Sequence, residues 1–77
     1  MAKTLRSTRH QRLIGLLADA RRSRGVTQVE LAAALGRPQS FVAKVERGER
    51  RLEVIEFADI ALALGVDPGE FLTRVLK

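Results

Sequence analysis

Between a glycine at position 36 and another at 48 the chain carries Gln39, Ser40, Ala43 and Lys44. Each polar member of this set has a defined hydrogen-bonding capacity. A glutamine amide donates and accepts at once and can pair twice with an adenine edge. A lysine ammonium can donate to guanine O6 and N7, and a serine hydroxyl suits several bases. On a helix these residues share an outward, N-terminal face, while Val42 and Val45 turn to the other side. The chemistry on offer is recognition by hydrogen bonds; no bond-breaking chemistry is visible. There is no cysteine, and the single His10 sits in a basic stretch. Nucleophile–base pairs and Cys- or His-based metal sites are therefore not expected, and neither a cofactor nor enzymatic activity is. The acids Glu53, Glu56 and Asp59 read as a solvated helix face.

The elements that must hold these side chains are helices. Glycines at 25, 36, 48 and 65 cut the chain into helix-length segments of good helix formers, with apolar residues three and four apart. Ile14, Leu17, Ala18 and Arg21 share one face, as do Leu31, Ala34 and Leu35, then Phe41, Val42 and Val45, then Val54, Phe57, Ala58, Ala61 and Leu64. No strand-length alternation of period two occurs. The spacing predicts an all-α fold with helices at about 9–24, 27–35, 38–47, 54–64 and 68–76. Thr27-Gln-Val-Glu30 matches a capping box, and Asp67-Pro-Gly-Glu70 repeats the pattern with Pro68 in the first turn. Pro38 at the start of the third helix leaves Arg37 as a weak cap. Gly15 interrupts the first helix without an evident reason.

The chain has 77 residues and a formal charge of +5. That charge is uneven: residues 1–24 carry +6, residues 25–48 carry +1 and residues 49–77 carry −2. An anionic partner at one end is implied. No apolar run approaches a membrane span, so a cytoplasmic protein without membrane association is expected. Residues 1–8 read as a flexible basic arm, either following an anionic ligand or serving as a solubilising tail. Residues 9–77 read as one domain.

The second and third helices are joined by only a few residues through Gly36, which forces a steep crossing and small side chains at the approach. This is a helix-turn-helix at 27–47. The run TQVELAAALGRPQSFVAKVERGER followed by ADIALALGVDP resembles the Cro/phage-repressor-type helix-turn-helix (XRE) family over about Leu13 to Leu72. The resemblance implies a five-helix, lambda-repressor-like domain that regulates transcription, commonly as a repressor, by binding a pseudo-palindromic operator in double-stranded DNA as a homodimer. It assigns base contacts to Gln39, Ser40, Ala43 and Lys44. Backbone contacts fall to Gln28 and its neighbour Thr27, with Arg37, Arg47, Arg50 and Arg51 as candidates around the turn and following loop. Arg50 and Arg51 also fit a solvated charge run, and Phe41 fits either core or a thymine methyl. Arg21 and Glu46 lie where the family places a partly buried ion pair between the first and third helices. Ile55, Leu62, Phe71, Leu72, Val75 and Leu76 crowd the acidic C-terminal third and read as a dimer interface, or as packing of the last helix onto the core. An antitoxin with a toxin partner, or a restriction–modification controller protein, would use the same domain. A helical protein-interaction module without specific DNA binding is the reading from another class.

Overall fold

The computed structural model describes residues 7–77. Five helices follow one another: α1 (Thr8–Ser23), α2 (Gln28–Leu35), α3 (Gln39–Glu46), α4 (Val54–Ala63) and α5 (Pro68–Leu76), with no strand among the described residues. The expected five segments are reproduced to within a residue or so at each end. Ser7 and Thr8, expected within an arm over residues 1–8, belong to α1 instead. Ser7 caps α1 by accepting from the His10 N–H, and Thr8 is already helical; residues 1–6 lie outside the described residues.

The helices close around one core. Ile14 and Leu17 from α1, Leu31 and Ala32 from α2, Phe41, Val42 and Val45 from α3, Phe57 and Ile60 from α4, and Phe71 and Val75 from α5 meet there with Leu64. The i, i+3, i+4 spacing read from the sequence is what brings them to a common side. Phe57 and Phe71 tie α4 to α5, with ring centroids 6.1 Å apart and planes tilted by 47°. This corrects the interface expected at the C-terminal end. Phe71 and Val75, 1% and 3% exposed, belong to the protomer's own core, while Ile55, Leu62, Leu72 and Leu76 are exposed. The physical reason is the 3.6-residue period: α5 docks on α1 and α4 with the stripe through Phe71 and Val75, which turns Leu72 and Leu76 outward.

The helix-turn-helix geometry is fixed by its caps. Thr27 Oγ1 accepts from the Glu30 N–H at 3.0 Å, and Glu30 Oε1 accepts from the Thr27 N–H at 2.9 Å, so the capping box is complete. At the other end of α2, Gly36 adopts φ 68° and ψ 30°, a left-handed conformation that lets the Arg37 N–H reach the Ala32 carbonyl at 2.9 Å. The chain then reverses within three residues into α3. Pro38, not Arg37, is the N-cap of α3, and no side chain caps that helix. Its φ of −69° and ψ of 153° are those of an extended cap residue, which proline adopts without strain.

Candidate nucleic-acid interface

Gln39, the first residue of α3, is exposed, as are Ser40 and Lys44 on the same outer surface. Ala43 is not: it is buried. The helix is only two turns long and is packed by both α1 and α2, so a single methyl does not clear its longer neighbours. Phe41 is core rather than surface.

A hydrogen-bonded relay runs behind Gln39. Gln39 Nε2 donates to Gln28 Oε1 at 2.7 Å, and Gln28 Nε2 donates to Glu46 Oε1 at 2.8 Å. The Arg21 guanidinium closes the relay, with Nε to Glu46 Oε2 at 2.7 Å and Nη2 to Glu46 Oε1 at 3.1 Å. Its Nη1 donates to the Val26 carbonyl at 2.8 Å. The polarity is dictated by one end. An ionised carboxylate only accepts, so Gln28 must turn its NH2 towards Glu46 and its oxygen towards Gln39. Gln39 must then donate with one Nε2 hydrogen, which leaves its oxygen and its second hydrogen available to other partners on an exposed side chain. The expected Arg21–Glu46 pair is thus present, with side chains only 10% and 9% exposed. Burial pushes the Glu46 carboxyl upward, but hydrogen bonds from Arg21 and Gln28 outweigh it and hold the group below the usual carboxylate range. The hydrogen bond that Arg21 donates to Glu46 in turn raises Arg21. Gln28, expected to touch phosphate, is also the hydrogen-bond partner of the neighbouring Gln39.

The arginines around α3 are partly engaged. Arg47 pairs with Glu49 at 3.1 and 3.2 Å in solvent; the contact raises Arg47 and lowers Glu49. Arg51 is exposed. Arg37 and Arg50 converge on Glu56, at 2.8 Å from Arg37 Nη2 and 2.9 Å from Arg50 Nη2. Glu56 is therefore not the solvated acid that the sequence suggested. Its Oε1 accepts from the Glu53 N–H at 3.1 Å, and that bond, with those from the arginines, keeps the carboxyl below its ordinary range against desolvation. No sequence motif announces this cluster, because its members lie 19 and 6 residues from Glu56.

Away from α3, an open apolar groove of about 340 Å³ runs between α1, α4 and α5, lined by Leu13, Leu52, Val54, Phe57 and Leu72 among others. Among the described residues no group of three His, Cys, Asp or Glu could hold a metal ion, and no helix is long and apolar enough to cross a membrane.

A short second helix bent back against a third, whose exposed start carries a held glutamine beside a lysine and arginines, is the geometry of a helix-turn-helix reader of DNA. The comparisons narrow the class. The helix-turn-helix family profile matches residues 17–71. The HTH-type transcriptional regulator y4dJ of Sinorhizobium fredii, itself uncharacterised, is 39% identical over 64 residues, covering 82% of this chain and 83% of that protein. An XRE-family-like protein from Pseudomonas syringae superposes with a TM-score of 0.89 at 53% identity, over 96% of this chain and 90% of that one. The clp gene regulator ClgR from C. glutamicum does so with a TM-score of 0.81 at 26% identity, over 91% and 90%. The chain belongs to the XRE-type helix-turn-helix family of DNA-binding transcriptional regulators and is not an enzyme.

Proposed function

We propose that the chain is a sequence-specific repressor that binds a pseudo-palindromic operator as a homodimer, with α3 of each protomer in the major groove. The observation that carries this reading is the held amide of Gln39. Its oxygen and remaining hydrogen form the donor–acceptor pair that complements adenine N6 and N7. Ser40 and Lys44 read the neighbouring bases from the same face. Thr27 and Gln28 at the start of α2 approach a phosphate with the help of free helix N–H groups and the positive dipole end. Arg37, Arg47, Arg50 and Arg51 add backbone contacts that set register without reading sequence. Residues 7–77 constitute the DNA-binding domain, and the bases ahead of it, Lys3 and Arg6, supply further attraction to the duplex.

Pairing of protomers is supported by apolar side chains that the core leaves uncovered. Ile55 and Leu62, seven residues apart, share an outer face of α4. Leu72 and Leu76, four apart, share one of α5, beside the groove. Two-fold pairing there would set the two α3 helices about 34 Å apart, one turn of DNA. A dimer seated on a promoter excludes polymerase, which makes repression the simplest output.

Selection of duplexes from a random-sequence pool tests this reading. Wild type is expected to enrich an inverted repeat, and Gln39→Ala to relax one position per half-site by ~1–3 kcal/mol. Enrichment of no sequence would overturn specific binding, and an asymmetric single site would overturn the dimer.

A further inference from the structure

Arg37, Phe41, Arg50 and Glu56 come from the turn, α3, the α3–α4 loop and α4, and they form one assembly. Glu56 accepts from Arg37 Nη2 at 2.8 Å, from Arg50 Nη1 and Nη2 at 3.1 and 2.9 Å, and from the Glu53 N–H at 3.1 Å. Both guanidiniums also lie over the Phe41 ring, 4.3 and 4.9 Å from its centroid. Exposure is graded in one direction: the Glu56 side chain is 11% exposed, whereas those of Arg37 and Arg50 are 40% and 35% exposed. The carboxylate is thus screened behind two cations, and what the surface presents is a doubly cationic front with a net charge of +1.

We infer that Glu56 is a positioning residue that locks Arg37 and Arg50 into a single clamp for one backbone phosphate beside α3. This rests on the DNA-binding reading above. Free arginines on a surface lose side-chain entropy when they are fixed on a ligand. Here the carboxylate and the ring have already restricted both, so a phosphate meets a preorganised fork. Glu56 leaves most of the N–H donors of Arg37 unused, together with part of those of Arg50, whose Nη1 also donates to the Arg51 carbonyl. The clamp spans the turn before the recognition helix and the loop after it, so it fixes how α3 lies in the groove as well as how tightly it binds.

The sign of one substitution separates positioning from plain charge. If Glu56 only opposed the polyanion, Glu56→Gln would tighten binding. As a positioning residue, its loss weakens binding although the protein becomes more positive. The assay is fluorescence anisotropy over a salt series, with the duplex selected by wild type and a random-sequence duplex. Glu56→Gln is expected to bind both duplexes about tenfold more weakly, with the salt slope reduced by about 0.9, one phosphate contact. Glu56→Asp, which keeps the charge but withdraws it, is expected to behave alike and serves if Glu56→Gln does not fold. In an Arg37→Ala/Arg50→Ala background neither change is expected to weaken binding further, and Glu56→Gln, which then removes an unscreened negative charge, is expected to tighten it if anything. Binding as tight as wild type, or an equal loss in the arginine-free background, would overturn the clamp while leaving DNA binding intact. A wild type that binds no duplex would overturn both.

Discussion

At the scale of single residues, Glu46 links the packed interior to the exposed start of α3. It takes hydrogen bonds from Arg21 and Gln28, and through Gln28 it sets the direction of the Gln39 amide. Its replacement by glutamine would leave the Arg21 guanidinium buried without a counter-charge, at a cost of ~3 kcal/mol measurable by chemical denaturation. The pH dependence has a definite sign. The folded carboxyl titrates below the unfolded value of about 4.3, so its contribution is complete above that pH and is lost as pH falls through the folded value. Thermal melts recorded down through this range should show a flatter acid limb for Glu46→Gln than for wild type. The limb should not vanish, because Glu56 is shifted in the same direction; an unchanged limb would remove Glu46 from this role. The ion pair was legible because the family resemblance places one at Arg21 and Glu46, each a turn beyond a core residue. The two glutamines that extend it were legible only as separate contacts, since their meeting depends on the crossing of α2 and α3.

At the scale of elements, helix ends were readable because local chemistry alone decides them. Thr27 with Glu30 closes a capping box, and the four glycines expected to stop helices all have positive φ. The third helix was harder: Pro38 fits both the cap and the first turn, and only the actual ψ of 153° makes it the cap. Two glycines give opposite expectations. Gly48 has φ +76°, and an added Cβ would stand 3.3 Å from Ile14 Cδ1 in the core. Gly48→Ala should therefore cost ~1–2 kcal/mol. Gly15 lies inside α1, exposed, and a Cβ there would meet nothing within 4 Å. Nothing in the structure explains this glycine, and Gly15→Ala should stabilise by about 0.5–1 kcal/mol. Urea denaturation of the pair checks both signs; a Gly48→Ala protein as stable as wild type would contradict the strain assigned to the loop after α3.

At the scale of the whole molecule, the uneven charge, +6 over residues 1–24, pointed to an anionic ligand, and the helix-turn-helix pattern, not the charge, pointed to α3. What could not be divided from sequence was the apolar C-terminal third. Phe71, Leu72, Val75 and Leu76 are equally apolar, and only the docking of α5 sorts them into two buried and two exposed. The Glu56 cluster was hidden for a related reason: its charges are brought together by the packing of α4 against α2 and the turn. In the proposed function the α3 surface of this chain reads DNA, with arginines and helix ends on the phosphates and Gln39 and Lys44 on the bases. The most direct test is the affinity of the purified protein for its selected duplex and for a scrambled duplex across a salt series. The expected result is a linear fall of log K with log salt for both, about −0.9 per phosphate contact, with the selected duplex tighter at every salt concentration. Affinity independent of salt, or equal for the two duplexes throughout, would contradict it.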